Sequence, residues 1–441
     1  MKKSIKAEKS IPTVVSKKGK GVITTNTSRK RRLSLNSEQE KNLTKKEAKS
    51  ATSPEVFSIF TPKTKIEWSQ HESILIGFHE IPKGGKIEDN RNIAGFDLDC
   101  TLISSKGNHK ISKDEYDWIW WSKEVPTKLK KLHEEGYRIV IISNQNGLDV
   151  SNKNSEKKRT DFINKIRSIG NSLNVPFEIY VATSKDKYRK PMIGIWKYLV
   201  ENRIVDMEKC LYVGDAAGRI GEWADTDRKF SENAGLKFYT PDEFFTNSET
   251  EPFSYGDFDP KKISKNVPLF IPTTPPLFTP DKKSEIIIFV GYPASGKTTF
   301  ANKWLIGNGY VYVNQDTLKT KAKCIKTCEE ALKQSKPVVI DNTNPGVENR
   351  KTYIDLAKKY DVPIRCFWFQ ASEALSKHNN MYRAFGSTGL KRPLLPEVSF
   401  HYYRSRFIEP KIEEGFQEIK LINFLFEGSE EEKRLFEMWY L

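Results

Sequence analysis

One stretch leaves this chain few folds to choose from: Ile286-Ile287-Ile288-Phe289-Val290-Gly291-Tyr292-Pro293-Ala294-Ser295-Gly296-Lys297-Thr298-Thr299. Five consecutive apolar residues read as a strand buried on both faces, which calls for a parallel sheet covered by helices above and below. Gly291 to Thr298 then fits G-x-x-x-x-G-K-[ST], and residues 299–305 read as the helix that follows. Strand, glycine-rich loop and helix in this order make a cradle of backbone N–H groups and a helix N-terminus for phosphate oxygens. Gly291, Ser295, Gly296, Lys297, Thr298 and Thr299 are therefore the candidate ATP-binding residues. Lys297 is placed to neutralise the β- and γ-phosphates, and Thr298 to hold Mg²⁺.

The same grammar runs through much of the chain. Downstream, Val311–Val313, Val338–Ile340 and residues 365–369 read as further strands, and residues 430–441 as a helix. Upstream, residues 93–96, 139–142, Phe177–Ala182 and 210–213 are short apolar runs separated by helix-like stretches. Residues 125–135 carry Leu129 and Leu132 on one helical face, with Gly136 beyond the end. The fold class is α/β: one Rossmann-like doubly wound unit over residues 61–245, then a P-loop unit over 285–441. Between them, residues 246–284 hold Pro268, Pro272, Pro275, Pro276 and Pro280, a linker composition. Phe253, Tyr255, Phe258, Phe270 and Phe278 make it aromatic, so it is expected to pack along the domain surfaces.

The net charge is +16, and roughly two-thirds of it lies before residue 52. Residues 1–60 are rich in Lys, Ser, Thr and Asn and are read as a disordered basic tail. Its cluster Arg29-Lys30-Arg31-Arg32 suits a nuclear-import signal or a nucleic-acid tether. A basic chain points to an anionic partner, nucleic acid first. Five scattered cysteines, at 100, 210, 324, 328 and 366, read as reduced thiols of an intracellular protein rather than a zinc site. No membrane span and no secretory signal are expected.

The upstream unit carries a second chemistry. Asp97 and Asp99 stand two apart after a strand and would share a face if the strand continued. Beyond the carboxyl end of a strand in an open α/β sheet, an aspartate can attack phosphorus and form an acyl-phosphate. A second carboxyl can protonate the leaving oxygen and later deprotonate water. Negative charge crowds together in both steps, so Mg²⁺ and a cation are needed. Ser143 and Asn144 are candidates to hydrogen-bond the phosphoryl group, and Arg189 and Lys190 to supply charge. Asp215 joins Asp97 and Asp99 as a metal ligand. In the P-loop unit, Asp316 after Val311–Val313 is the candidate base for an acceptor hydroxyl. Asp341 after Val338–Ile340 either organises Mg²⁺ or is a structural carboxylate. Arg383 either closes over the phosphates or is a helix surface charge. Trp118, Trp120 and Trp121 either stack on unpaired bases or pack in the core, with core favoured for at least one.

Asp97, Asp99, Ser143, Lys190 and Asp215, each after a successive strand, resemble the motifs of haloacid-dehalogenase-type phosphatases. That resemblance implies Asp97 as nucleophile, Asp99 as acid/base, Ser143 and Lys190 as phosphate ligands and Asp215 in the Mg²⁺ site. Cys100 stands where that family usually has Gly. Both sites in this order resemble the eukaryotic polynucleotide kinase 3′-phosphatase family. The words that carry it include Ala94-Gly95-Phe96-Asp97-Leu98-Asp99, Ser143-Asn144-Gln145, Tyr188-Arg189-Lys190-Pro191, Gly214-Asp215-Ala216-Ala217-Gly218-Arg219, Asn314-Gln315-Asp316-Thr317 and Asp341-Asn342-Thr343-Asn344-Pro345. The resemblance implies removal of 3′-phosphates and ATP-dependent phosphorylation of 5′-hydroxyls at DNA breaks. It further implies Asp316 as base, Arg383 over the ATP phosphates, a nuclear monomer, and DNA repair and ligation proteins as partners. Gln315 and Lys323 replace arginines of animal members, and the short polar start suits a fungal-like form without their forkhead-associated domain. Two alternatives are a small-molecule phosphatase/kinase fusion and a nucleic-acid-end scaffold with decayed sites.

Overall fold

The structure, a computed structural model, describes residues 65–81, 91–107, 109, 111–149, 155–201, 203–222, 224–263, 266–277, 284–389 and 391–441. The basic tail and its Arg29–Arg32 cluster lie outside the described residues, as does Phe278.

The first sheet is built from β1 (Ile66–His71), β2 (Ile74–His79), β3 (Asn92–Phe96), β6 (Tyr137–Asn144), β7 (Phe177–Ala182), β8 (Leu211–Val213) and β9 (Lys237–Tyr239). A two-strand flap, β4 (Ile103–Ser104) and β5 (Ile119–Trp120), follows β3. The order across the sheet is β1-β2-β7-β6-β3-β8-β9. The strands from β7 to β9 are parallel, and β2 and β1 close one side antiparallel. Burial follows the two-residue period: Ile139 and Ile141 face one core cluster, Val140 and Ile142 the other. Each such side chain contributes roughly 1.5–3 kcal/mol of burial, which fixes the register. Helices α1 (Glu124–Glu134), α2 (Ser155–Leu173), α3 (Gly194–Glu201), α4 (Thr226–Ala234) and α5 (Pro241–Thr246) complete this half. Helix α4 ends at Gly235 with φ 70°, and α5 opens on a Thr240/Glu243 capping box with Pro241 in its first turn.

The second sheet has the order β10 (Phe270–Ile271), β15 (Glu418–Ile422), β14 (Ile364–Phe369), β11 (Ile286–Val290), β13 (Val338–Ile340), β12 (Val311–Val313). Its five main strands are parallel, and β10 pairs antiparallel at the edge. The stretch read as linker therefore supplies an edge strand. It also packs as expected: Tyr255 stacks near Trp439, Phe258 near His378, and Leu277 is buried. Fully buried Lys420 donates to the carbonyls of Pro272 and Pro275 and pins it down.

Several boundaries differ from the sequence reading. The helix after the P-loop is a short α6 (Lys297–Phe300) that widens into a π turn, Ala301–Leu305. Ser143 and Asn144 are the last residues of β6 rather than following it. Asp316 sits in the first turn of α7 (Gln315–Leu318), whose Asn314 cap accepts from the Thr317 N–H. The remaining helices are α8 (Lys321–Lys333), α9 (Val347–Lys359), α10 (Glu373–Met381), α11 (Glu397–Arg406) and α12 (Glu430–Phe436). The chain leaves the helix after Phe436, because Trp439 and Tyr440 are buried against other elements. Trp118, Trp120 and Trp121 all pack against the first core, and the Trp118 indole N–H donates to Ser168 at 3.2 Å.

Candidate active sites

In the first sheet the chain crosses to opposite sides of β3, toward β6 and β8, and the crevice at that switch point is where an α/β sheet binds ligands. Asp97 follows β3 directly, its N–H bonded to the Val213 carbonyl at 2.9 Å. The ammonium of this crevice belongs to Lys190, a residue 3% exposed. It lies 2.5 Å from Asp97 Oδ1, 2.7 Å from Asp227 Oδ1 and 2.8 Å from both the Ile142 carbonyl and the Tyr212 hydroxyl. Carboxylate oxygens of Asp97, Asp215 and Asp227 come within 4.8 Å of one another. Gly214 makes this possible, since a Cβ there would fall 2.5 Å from Asp227 Cβ.

The electrostatics are those of a site short of positive charge. Burial pushes Asp97 well above the usual carboxylate range, against the pull of Lys190, with Asp227 and Asp215 adding to the rise. Burial, then Asp227, raises Asp215 to about 7. Burial works against the Lys190 charge, yet Asp227 and Asp97 outweigh it and hold its pKa up. Three hard oxygen donors with one ammonium fit Mg²⁺, which relieves this repulsion.

Three sequence expectations are corrected here. Asp99 does not share the metal cluster. Strand β3 stops at Phe96, Leu98 turns into the core, and the Asp99 carboxylate faces Gln145 at 2.7 Å and Lys165 at 3.7 Å. Asp227, from α4, stands in the cluster instead. Asn144 turns its amide to the Lys190 backbone: it accepts from the Lys190 N–H at 3.0 Å and donates one amide proton to the Lys190 carbonyl at 3.1 Å. No hydrogen bond joins Arg189 to the cluster. Its Nη1 is buried without a hydrogen-bond partner among the described residues, and burial lowers its pKa. Ser143 is buried beside the site and accepts from Gln145 at 3.0 Å, so Gln145 links it to Asp99. The Asp215 N–H donates to Thr101 Oγ1 at 3.0 Å. Cys100 takes the glycine-like conformation, φ 60°, and its N–H reaches the Ile103 carbonyl at 2.8 Å. Asp227, Thr101, Gln145 and Tyr212 were missed as site residues; Gln145 stands inside a recognised word and Thr101 and Tyr212 lie close to others, whereas Asp227 had no such signal.

In the second sheet, β11 leads into the loop. A Cβ on Gly291 would lie 2.8 Å from Phe369 Cβ, so the loop needs glycine to close on β14. Ala294 at φ 60° and Gly296 at φ 97° curl the backbone into an N–H cradle. Lys297 folds back onto the Gly291 carbonyl (3.1 Å), the Tyr292 carbonyl and Ser295 Oγ (3.2 Å). Thr298 donates to Asp341 Oδ2 at 2.6 Å, and the Tyr312 hydroxyl to the same oxygen at 2.7 Å. Thr298 and buried Asp341 thus form one Mg²⁺-competent pair, with Thr299 exposed beside it. Arg383 is not a surface charge. It lines a cavity of about 380 Å³ with Lys297, Thr298, Thr299 and Arg392, held by Asn380 at 3.0 Å. Burial and then Arg392 lower its pKa. Asn379 donates to the Ala294 carbonyl at 3.1 Å and ties α10 to the loop. Asp316, Gln315 and Lys323 are exposed beyond β12.

Burial lowers the Lys297 pKa to about 8, opposed by Asp341, reinforced by Arg383 and opposed by Asp316. The free protein therefore loses this charge as pH rises through 8, whereas bound polyphosphate holds it. ATP affinity is expected to fall about tenfold between roughly pH 7 and 9, read by titration calorimetry. A flat profile would contradict this placement of Lys297.

Known proteins bear on both halves. A family profile described as polynucleotide kinase 3 phosphatase matches residues 92–245, and an AAA domain profile matches residues 286–409. A bifunctional polynucleotide phosphatase/kinase of Schizosaccharomyces pombe is 42% identical over 365 residues, covering 82% of this chain and 86% of its own. A protein of Acanthamoeba polyphaga mimivirus is 36% identical over 404 residues, covering 83% and 92%. A polynucleotide 3′-phosphatase of Saccharomyces cerevisiae is 27% identical over 212 residues, covering 36% of this chain and 89% of its own. With two phosphate sites on two α/β sheets and a relative of this identity and coverage, the chain belongs to the bifunctional polynucleotide phosphatase/kinase family.

Proposed function

We propose that this protein repairs the ends of DNA breaks, hydrolysing 3′-phosphates at the Asp97 site and phosphorylating 5′-hydroxyls from ATP at the Lys297 site. The observation that carries the reading is the coexistence of two complete and distinct constellations on one chain: an Asp97/Lys190 nucleophile pair and a P-loop with a facing carboxylate.

At the first site, Asp97 Oδ attacks the 3′-phosphorus, and the bond to the sugar 3′-oxygen breaks. Asp99 gives that oxygen its proton. Asp99 then takes a proton from water, whose oxygen attacks the aspartyl-phosphate and releases inorganic phosphate and free Asp97. Lys190 neutralises charge on Asp97 and the incoming phosphoryl group, and Ser143 is close enough to hydrogen-bond it. Asp97, Asp215 and Asp227 would hold Mg²⁺ beside this group, and the ion would supply further charge stabilisation there. At the second site, Asp316 removes the proton from the 5′-hydroxyl, whose oxygen attacks the γ-phosphorus and displaces ADP. Lys297 and Arg383 neutralise the phosphates, and Thr298 with Asp341 would hold Mg²⁺.

The products, a 3′-hydroxyl and a 5′-phosphate, are what a ligase consumes, so ligation and repair proteins are the proposed partners. Nuclear residence is proposed from the Arg29–Arg32 cluster, and action as a monomer from one chain holding both sites. The competing small-molecule fusion is separated by offering γ-labelled ATP with either a 5′-hydroxyl oligonucleotide or a free sugar. Label in the oligonucleotide alone supports the proposal; label in the sugar alone defeats it.

A further inference from the structure

Both sheets belong to one unit, Thr61–Leu441, and residues 438–441 reach from one to the other. On the P-loop side, the Tyr440 ring lies 5.4 Å from His378 and 6.3 Å from Tyr382, and its hydroxyl donates to the Leu435 carbonyl at 2.8 Å. On the other side, the Trp439 ring lies 4.6 Å from Lys229 Nζ and 4.7 Å from the Tyr255 ring. Lys229 also donates to the Leu441 carbonyl at 3.0 Å. Helix α4, which carries Lys229, carries Asp227 of the phosphatase cluster as well.

Asn233, the next residue one turn along α4, is used to the full. Its Oδ1 accepts from the Trp439 N–H at 2.8 Å. Its Nδ2 donates to the Trp439 carbonyl at 2.8 Å and to the Pro191 carbonyl at 2.9 Å. Both amide protons and one lone pair are thus committed to backbone groups 42 and 206 residues away in the chain. Pro191 adjoins Lys190, whose ammonium touches four oxygens at once.

We propose that Asn233 is a positioning residue of the phosphatase site, braced by Trp439 from the P-loop half, and that through Pro191 it fixes Lys190 between Asp97 and Asp227. The proposal rests on the phosphatase reading above. Lys190 is held from one side by Asn144, which grips its own N–H and carbonyl, and from the other by Asn233 through the next residue. Without the second grip the turn can shift, and a misplacement of about 1 Å at reacting groups can cost about 10²-fold. Only an amide satisfies this position: a carboxylate keeps the shape but turns oxygen toward two carbonyls.

The test is steady-state hydrolysis of a 3′-phosphorylated oligonucleotide and of p-nitrophenyl phosphate, with 5′-kinase activity of each preparation measuring its folded fraction. Asn233→Asp is expected to lower phosphatase kcat roughly tenfold or more, with KM within about twofold and the kinase unchanged. Asn233→Gln, which keeps the amide, should retain more activity than Asn233→Asp. A packing role alone orders the two the other way, because Asp matches the volume of Asn. Trp439→Ala should lower phosphatase kcat in the same direction and add little to Asn233→Asp. Wild-type turnover in Asn233→Asp, the reverse order of the two variants, or a parallel loss of kinase activity overturns the proposal. If the variants follow the expected order on p-nitrophenyl phosphate while wild type leaves the oligonucleotide untouched, the brace stands and the DNA-end reading fails.

Discussion

Asp97→Asn is expected to lower 3′-phosphate removal by roughly 10⁴-fold or more, while the same protein phosphorylates 5′-hydroxyls at close to the wild-type rate. The loss is large because the amide cannot form the acyl-phosphate, and no other carboxylate stands where Asp97 does. Asp227 and Asp215 are near, but the Asp227 carboxylate is engaged by Lys190 and the Ala216 N–H, and Asp215 Oδ1 accepts from the Thr101 hydroxyl at 3.4 Å. The variant also carries its own control for folding. Burial and its carboxylate neighbours raise the Asp97 pKa, so the ionised form is disfavoured in the folded protein. A raised acid pKa means that the folded state binds the proton more tightly than the unfolded chain does, so stability from this group falls as pH rises above the unfolded value. Without divalent cation near neutral pH, Asp97→Asn should therefore melt no lower than wild type by differential scanning calorimetry. Lost activity together with lowered stability would instead mean that the residue is structural.

Asp316→Asn is expected to reduce 5′-phosphorylation by roughly 10²–10⁴-fold, the range for losing a general base, with phosphatase activity unchanged. ATP affinity should change by less than about twofold, because Asp316 makes no hydrogen bond to the P-loop and sits exposed on α7 beyond β12. Rapid-quench measurement of transfer, beside an ATP titration, separates the two quantities. If Asp316→Asn loses ATP affinity in proportion to its rate, the carboxylate acts on the nucleotide and not on the acceptor hydroxyl.

The parts of this fold that were readable in the sequence are those set by local pattern. Apolar runs gave Phe177–Ala182, Ile286–Val290, Val311–Val313 and Val338–Ile340 at their observed limits, since a continuous apolar run between polar stretches is recognised without knowing its partner strands. The P-loop was legible because its strand, its loop and its helix are contiguous. Long-range choices were not legible. Asp227 reaches Asp97 only because α4 folds back over Gly214, and nothing twelve residues beyond Asp215 marks that approach. Asn144 looked like a phosphate ligand because its type and place fit. That its amide oxygen and one amide proton go to Lys190 depends on a contact 46 residues away. From its own residues Arg383 fits both a solvated helix charge and a phosphate contact, and it is the π turn Tyr382–Gly386 that directs it into the loop cavity. Residues 438–441 continued a helical pattern, yet burial of Trp439 and Tyr440 against two different halves outweighs propensity in so short a segment.

Preparing both ends of a DNA break on one chain, by two separate chemistries, has a single decisive substrate: a nicked duplex bearing a 3′-phosphate and a 5′-hydroxyl, incubated with the protein, Mg²⁺ and ATP and then with a DNA ligase. Wild type is expected to give a sealed duplex, Asp97→Asn or Asp316→Asn alone none, and the two variants mixed a sealed duplex again. An unsealed nick with wild type, both termini unchanged, would rule out end preparation by this chain.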